Sequence, residues 1–231
     1  MGKILVVKLN LTSWAFFSWL VICGGHTARA QIILPVTYRG YVQSSGNSNG
    51  GTGTKNFVAN PGSTISWFGF DLSGQAAVPS ITSAKLYLFN TSLALNGFGN
   101  GATGTGTYTL WDVSSASKTL LNTGNSLVGQ TAVFSDLGGG TSYGSSSYSM
   151  ADNGAYLVFN LNASGLADLQ SAWGTGFFDI GGAATGTGNI FGYSNYVNQN
   201  QTYLEVVPEP SALSLLAVGL GVVLRRRRRA V

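Results

Sequence analysis

Between residues 31 and 206 the chain is made of short runs in which apolar and polar side chains alternate, closed off by Gly, Ser or Asn. Residues 63–70, 84–89, 107–111, 155–159, 177–180 and 202–206 are such runs, rich in aromatic and β-branched types. A period of two sends successive side chains to opposite faces of an extended backbone, so each run offers one face to a core and one to water. Only residues 164–172 have helical spacing. Many short strands with little helix fit two sheets packed face to face, so the predicted fold is all-β, a single jelly-roll-like β-sandwich over residues 31–206. Glycine, 33 of 231 residues, gathers in the connections, and residues 46–54, 97–106 and 138–147 are predicted to be exposed loops.

The N-terminus obeys other rules. Residues 1–30 begin with Lys3 and Lys8, continue through an apolar stretch over 11–22 and end on Ala28-Arg29-Ala30. A charged start, an apolar middle and small residues at alternate positions make a secretory signal peptide, with signal peptidase cutting between Ala30 and Gln31. The apolar stretch is too short for a comfortable membrane span. Leu20-Val21-Ile22-Cys23 has the outline of a lipoprotein box, but Ile22 is bulky where such a box takes a small residue.

The formal charge of +4 belongs to the two ends. Between Gln31 and Val207 four basic side chains meet seven acidic ones, which leaves −3. That segment has no basic surface for DNA or RNA, and no nucleic-acid partner is expected. The only cysteine, Cys23, and the only histidine, His26, precede Gln31. A body freed of its leader therefore lacks thiolate and imidazole, which excludes cysteine nucleophiles, disulfides, His-based triads and zinc or copper sites needing those ligands. Carboxylate chemistry, a Ser–Lys arrangement and a structural calcium held by oxygens stay open.

At the C-terminus three parts follow in order: Pro208-Glu209-Pro210, an apolar stretch over 212–224, and Arg225, Arg226, Arg227, Arg228 and Arg229. The prolines are expected to stop the last strand and hold Glu209 extended and accessible. The apolar stretch suits a transmembrane helix, and the arginines a cytoplasmic anchor under the positive-inside rule. At about 1.5 Å per residue the stretch spans only ~20 Å against a hydrocarbon core of ~30 Å, so the anchor is expected to be temporary. This tail, residues 207–231, resembles the PEP-CTERM sorting signal. The resemblance implies recognition and cleavage near the motif by a membrane-embedded transpeptidase, an exosortase, in a Gram-negative host that makes extracellular polysaccharide. Within the body, Phe70-Asp71-Leu72-Ser73 with residues 81–88 resembles the opening of jelly-roll modules of secreted bacterial proteins, some of which bind polysaccharide. Residues 159–183 are similar to sandwich bodies attached to PEP-CTERM tails.

The remaining motifs have plain structural explanations. Gly99-Asn100-Gly101-Ala102-Thr103-Gly104 matches GxGxxG by letters but leads into a strand rather than a helix. Ser115-Ala116-Ser117-Lys118 matches SxxK but reads as a polar hairpin turn. Asp71, Asp112 and Asp179 end or interrupt aromatic runs, where capping explains them; a glycosidase would need two of them face to face. Trp67, Trp111 and Trp173 sit inside runs as core residues, whereas Tyr38, Tyr41, Tyr193 and Tyr196 are flanked by polar neighbours and expected to be exposed. No catalytic residue and no resident metal or cofactor emerges. The expected protein is a non-enzymatic surface or matrix protein, held briefly in the inner membrane and associated with exopolysaccharide or biofilm. A carbohydrate-binding module and a carboxylate-based glycan-degrading enzyme are the alternatives.

Overall fold

The computed structural model describes residues 31–52, 57–78, 80–92, 101–123, 125–191 and 202–209. The strands are β1 (Ile32–Pro35), β2 (Tyr38–Gln43), β3 (Ser48–Thr52), β4 (Thr64–Asp71), β5 (Ile81–Asn90), β6 (Gly106–Trp111), β7 (Ser142–Tyr148), β8 (Ala155–Asn160), β9 (Phe177–Gly186) and β10 (Thr202–Pro208). The helices are α1 (Ser115–Leu121), α2 (Thr131–Leu137) and α3 (Ala163–Ala172), with a single 3₁₀ turn at Met150–Asp152. Each of the six alternating runs is a strand. The loop expectation fails in two places: β3 lies within residues 46–54, and all of β7 but its last residue within 138–147. Ladder hydrogen bonds to β2 and β6 hold both segments, so weak intrinsic preference is overridden by pairing.

Two sheets form, a four-stranded one in the order β1-β10-β5-β8 and a six-stranded one in the order β3-β2-β4-β9-β6-β7. Every neighbouring pair is antiparallel. Their facing sides bury one apolar cluster, which includes Phe68, Phe70 and Phe178 from the larger sheet and Leu86, Leu88, Phe159 and Leu204 from the smaller. Arg39 is fully buried in β2 and donates from Nη1 to Thr202 Oγ1 of β10 at 2.9 Å, tying one sheet to the other. Its guanidinium stands 5.1 Å over the Phe57 ring, and burial lowers its pKa to about 10.

The outer side of the six-stranded sheet holds a second cluster, in which Val42, Ile65 and Trp67 meet Leu121 of α1 and Val133 and Leu137 of α2. One row across this side reads Gly50, Gly40, Trp67, Gly181, Trp111 from β3 to β6. Missing side chains on both flanks let the Trp67 indole lie along the sheet. A Cβ on Gly50 would sit 2.7 Å from Trp67 Cζ2, and one on Gly181 would run into the Leu137 backbone, 2.8 Å from its Cα. Residues 115–118 thus belong to a helix and not to a hairpin turn: Ser114 caps it by accepting from the Ser117 amide, and Ser117 and Leu121 face the sheet. Leu121 completes the apolar cover, which local polarity did not reveal.

A valine in place of Gly50 overpacks the Trp67 row. Urea unfolding of Gly50→Val is expected to show a stability loss of roughly 2–3 kcal/mol with an unchanged m-value; wild-type stability would mean that the indole does not rest there.

Candidate functional site

The last strand carries the sorting residues. β10 lies between β1 and β5, with Leu204 opposite Leu34 on one side and Leu86 on the other. The strand continues through Val207 into Pro208, which is buried and opposite Ile81 beyond a register shift. β10 thus ends on Pro208, the first proline of the motif, with Glu209 beyond it. A proline has no N–H for the ladder, and the irregularity at Val207/Pro208 is where none is needed. The Glu209 amide then donates to Ser80 O at 2.9 Å while its residue stays exposed, and Thr82 Oγ1 donates to Val207 O at 2.8 Å. Pro208 and Glu209 are thus attached to the folded body. Ala30, Pro210, the stretch 212–224 and the five arginines Arg225 to Arg229 lie outside the described residues, and Gln31 is exposed at their start. Among the described residues no helix is long and apolar enough to cross a membrane.

The same strand turns aromatic rings outward. Tyr203 stacks on Tyr87 of β5, centroids 4.5 Å apart and planes 12° from parallel, and Tyr156 of β8 stands edge-on to both at 5.8 and 6.0 Å. Phe89 meets Tyr156 at 5.2 Å. Tyr156 and Val158 are exposed, as is Ile33 of β1. Beside the rings runs a polar row in which Glu205 lies opposite Lys85 and Lys85 opposite Asn160. The Tyr87 hydroxyl donates to Glu205 Oε2 at 3.0 Å, and desolvation with that carboxylate raises its pKa to about 12. The sequence expectation named other rings. Tyr38 and Tyr41 are half-buried in β2, and Tyr38 packs on Phe177 at 5.8 Å; Tyr193 and Tyr196 lie outside the described residues. Trp67 and Trp173 are core residues, the latter donating from Nε1 to Ala76 O at 2.8 Å, and Trp111 is half-buried. The signal for the outward-facing rings was present as the alternate positions Tyr87, Phe89 and Tyr203 of the runs, which are half-buried, and Tyr156, which is exposed.

The three aspartates are spread over different roles. Asp71 Oδ1 accepts from the Ser73 amide and hydroxyl at 3.0 and 2.7 Å, which lowers its pKa. Asp112 Oδ1 accepts from the Thr141 amide at 2.7 Å. Asp179 points to the outer side of β9, is 1% exposed, and accepts from Asn122 Nδ2 on Oδ2 at 3.0 Å. Its Oδ1 and Asn122 Oδ1 are buried acceptors without a hydrogen-bond partner. Both converge over Gly69, where an added Cβ would lie 2.6 Å from the first and 2.9 Å from the second. A proton on Asp179 Oδ1 turns one of these acceptors into a donor beside the other. Burial raises the Asp179 pKa from 3.8 to about 6, against the pull of the Asn122 hydrogen bond and the Lys118 charge. A carboxyl so enclosed does not reach a substrate. Among the described residues no group of three or more His, Cys, Asp or Glu is placed to hold a metal ion. Residues 101–105 run into β6 rather than a helix, pinned where Asn153 Oδ1 accepts from the Ala102 amide at 2.6 Å.

Residues 206–229 match the model of the PEP-CTERM protein-sorting motif. The chain carries a PEP-CTERM sorting signal. No curated protein matches the chain. The PEP-CTERM motif implies an exported protein sorted through the membrane, with exosortase as its processing partner. Its match begins at Val206, inside β10, so motif and body share residues 206–208.

The Asp179 pair has a pH signature. A folded-state pKa above the unfolded one means that the protonated form favours the fold: this stability is complete below about pH 4 and is lost as pH rises through about 6. Asp179→Asn keeps the shape without the charge. Its melting temperature is expected to exceed wild type by roughly 6–12 °C at pH 7.5, for about 3 kcal/mol, and to equal it near pH 4. A lower melting temperature at pH 7.5 would show that the ionised carboxylate is what the site requires.

Proposed function

We propose that this is a non-enzymatic surface or matrix protein of a Gram-negative bacterium: a jelly-roll body cut from its leader, held briefly in the inner membrane by residues 212–229, then released near Pro208-Glu209-Pro210 by an exosortase and retained among extracellular polysaccharide. The single observation that carries this reading is the PEP-CTERM match over residues 206–229 on a two-sheet β body. The strand order supports the jelly roll. With the β2–β3 hairpin set aside, β1, β4, β5, β6, β7, β8, β9 and β10 lie as first-eighth-third-sixth in one sheet and second-seventh-fourth-fifth in the other. The charge of the ends supports the transient anchor: five arginines oppose translocation behind an apolar stretch that is short for the bilayer.

In the native host, replacing Pro208, Glu209 and Pro210 together by alanine is expected to leave an unprocessed precursor in the membrane fraction. Mass spectrometry of the mature chain and fractionation read the result; unchanged mass and location would refute exosortase processing.

A further inference from the structure

The two outer sides of the sandwich are finished differently. That of the six-stranded sheet is closed by α1 and α2 over an apolar cluster, while that of the four-stranded sheet leaves Tyr156, Val158, Ile33 and Asn160 exposed, with Tyr87, Tyr203, Lys85 and Glu205 half-buried beside them. We propose that the latter is the binding surface for a neutral pyranose polysaccharide, which packs on the exposed ring of Tyr156, held in place by the half-buried Tyr87–Tyr203 stack, and hydrogen-bonds to Glu205, Lys85 and Asn160. The inference rests on the reading that the body is retained among polysaccharide, and it supplies the site and the ligand class.

Complementarity is the first argument. A pyranose has apolar C–H faces and a rim of hydroxyls, and aromatic rings suit the former while hydroxyl, carboxylate, ammonium and amide groups suit the latter. Here both kinds occur in adjacent rows of one rigid sheet. Charge is the second. Lys85 faces Glu205 in register, so the row presents donors and acceptors without a net charge to attract an anionic polymer. The same row disfavours a protein partner, because Lys and Glu are depleted from protein–protein interfaces. Preorganisation is the third. Tyr87 is fixed by its stack on Tyr203 and its hydrogen bond to Glu205, so little side-chain freedom is lost on binding.

Native gels cast with soluble β-glucan, galactomannan or the anionic polymer alginate test the proposal on the full chain in mild detergent. Retardation by at least one neutral polymer is expected, weakened about fivefold or more by Tyr156→Ala together with Tyr203→Ala. Tyr156→Ala alone, which removes an exposed ring, serves if the double variant melts early, and about a twofold weakening is then expected. Retardation by neither neutral polymer, by alginate alone, or equally in wild type and variants overturns the proposal. So does a wild-type dimer in light scattering that Tyr156→Ala makes monomeric, since a second copy would then own the face. Precursor processing is read by mass and not by mobility, so failure here leaves the sorting reading standing.

Discussion

The fold closes when β10, the last strand, inserts between β1, the first, and β5. Ile32 pairs with Val206, a contact that spans almost the entire body, and Tyr203 pairs with Tyr87 far along the chain. Such pairs have a high loop-closure cost, so they form only after much of the chain has collapsed around them. Three separate features depend on that insertion. Thr202 reaches Arg39 in the opposite sheet, Tyr203 and Glu205 complete the aromatic side of the small sheet, and Val206 to Pro208 begin the sorting segment. Along one strand the alternation of side chains divides the work. Thr202, Leu204, Val206 and Pro208 are buried, while Tyr203, Glu205 and Val207 face outward.

The contact between body and motif bears on processing. A sorting segment on a loose linker would be open to an enzyme in the membrane at all times. Here the Glu209 amide is bonded to Ser80 and Pro208 is buried against the body, so access to the motif is coupled to the end of the sheet. The coupling is local. It involves the final ladder positions beyond the register shift, where backbone pairing is weakest, and leaves the Leu204–Leu86 centre of the strand intact.

Glycine does opposite things in the two sheets. In the large sheet Gly50 makes room for Trp67 and Gly181 for the end of α2, so a side that would otherwise be wet becomes a second core. Gly69 does the same on a smaller scale for Asp179 and Asn122. The outward positions of the small sheet carry large rings instead, and the surface stays open. Composition alone treats all these glycines as loop formers, whereas Gly50, Gly69 and Gly181 are strand residues whose missing side chains leave room for a neighbour.

Alternation with a period of two settled which residues form the principal strands and, in β5, β6, β8 and β10, which side faces the core, because that pattern is written in neighbouring positions; β4 and much of β9 are instead buried on both sides, since α1 and α2 cover the face expected to be wet. Residues 164–172 announced their helix in the same local way, by spacing, and the structure starts it at Ala163 with Asn162 as its cap. Charge placement and the order of the C-terminal parts settled the address, since such signals are read as linear segments. The tertiary structure alone decided that residues 48–52 and 142–148 are strands, that Ser115–Leu121 is a helix, and that Asp179 is buried under Asn122, because each depends on partners far along the chain. It also decided which aromatic rings gather on the outer side of the small sheet. Tyr87, Tyr156 and Tyr203 come from three strands separated by long stretches of sequence, and only register between those strands sets them side by side.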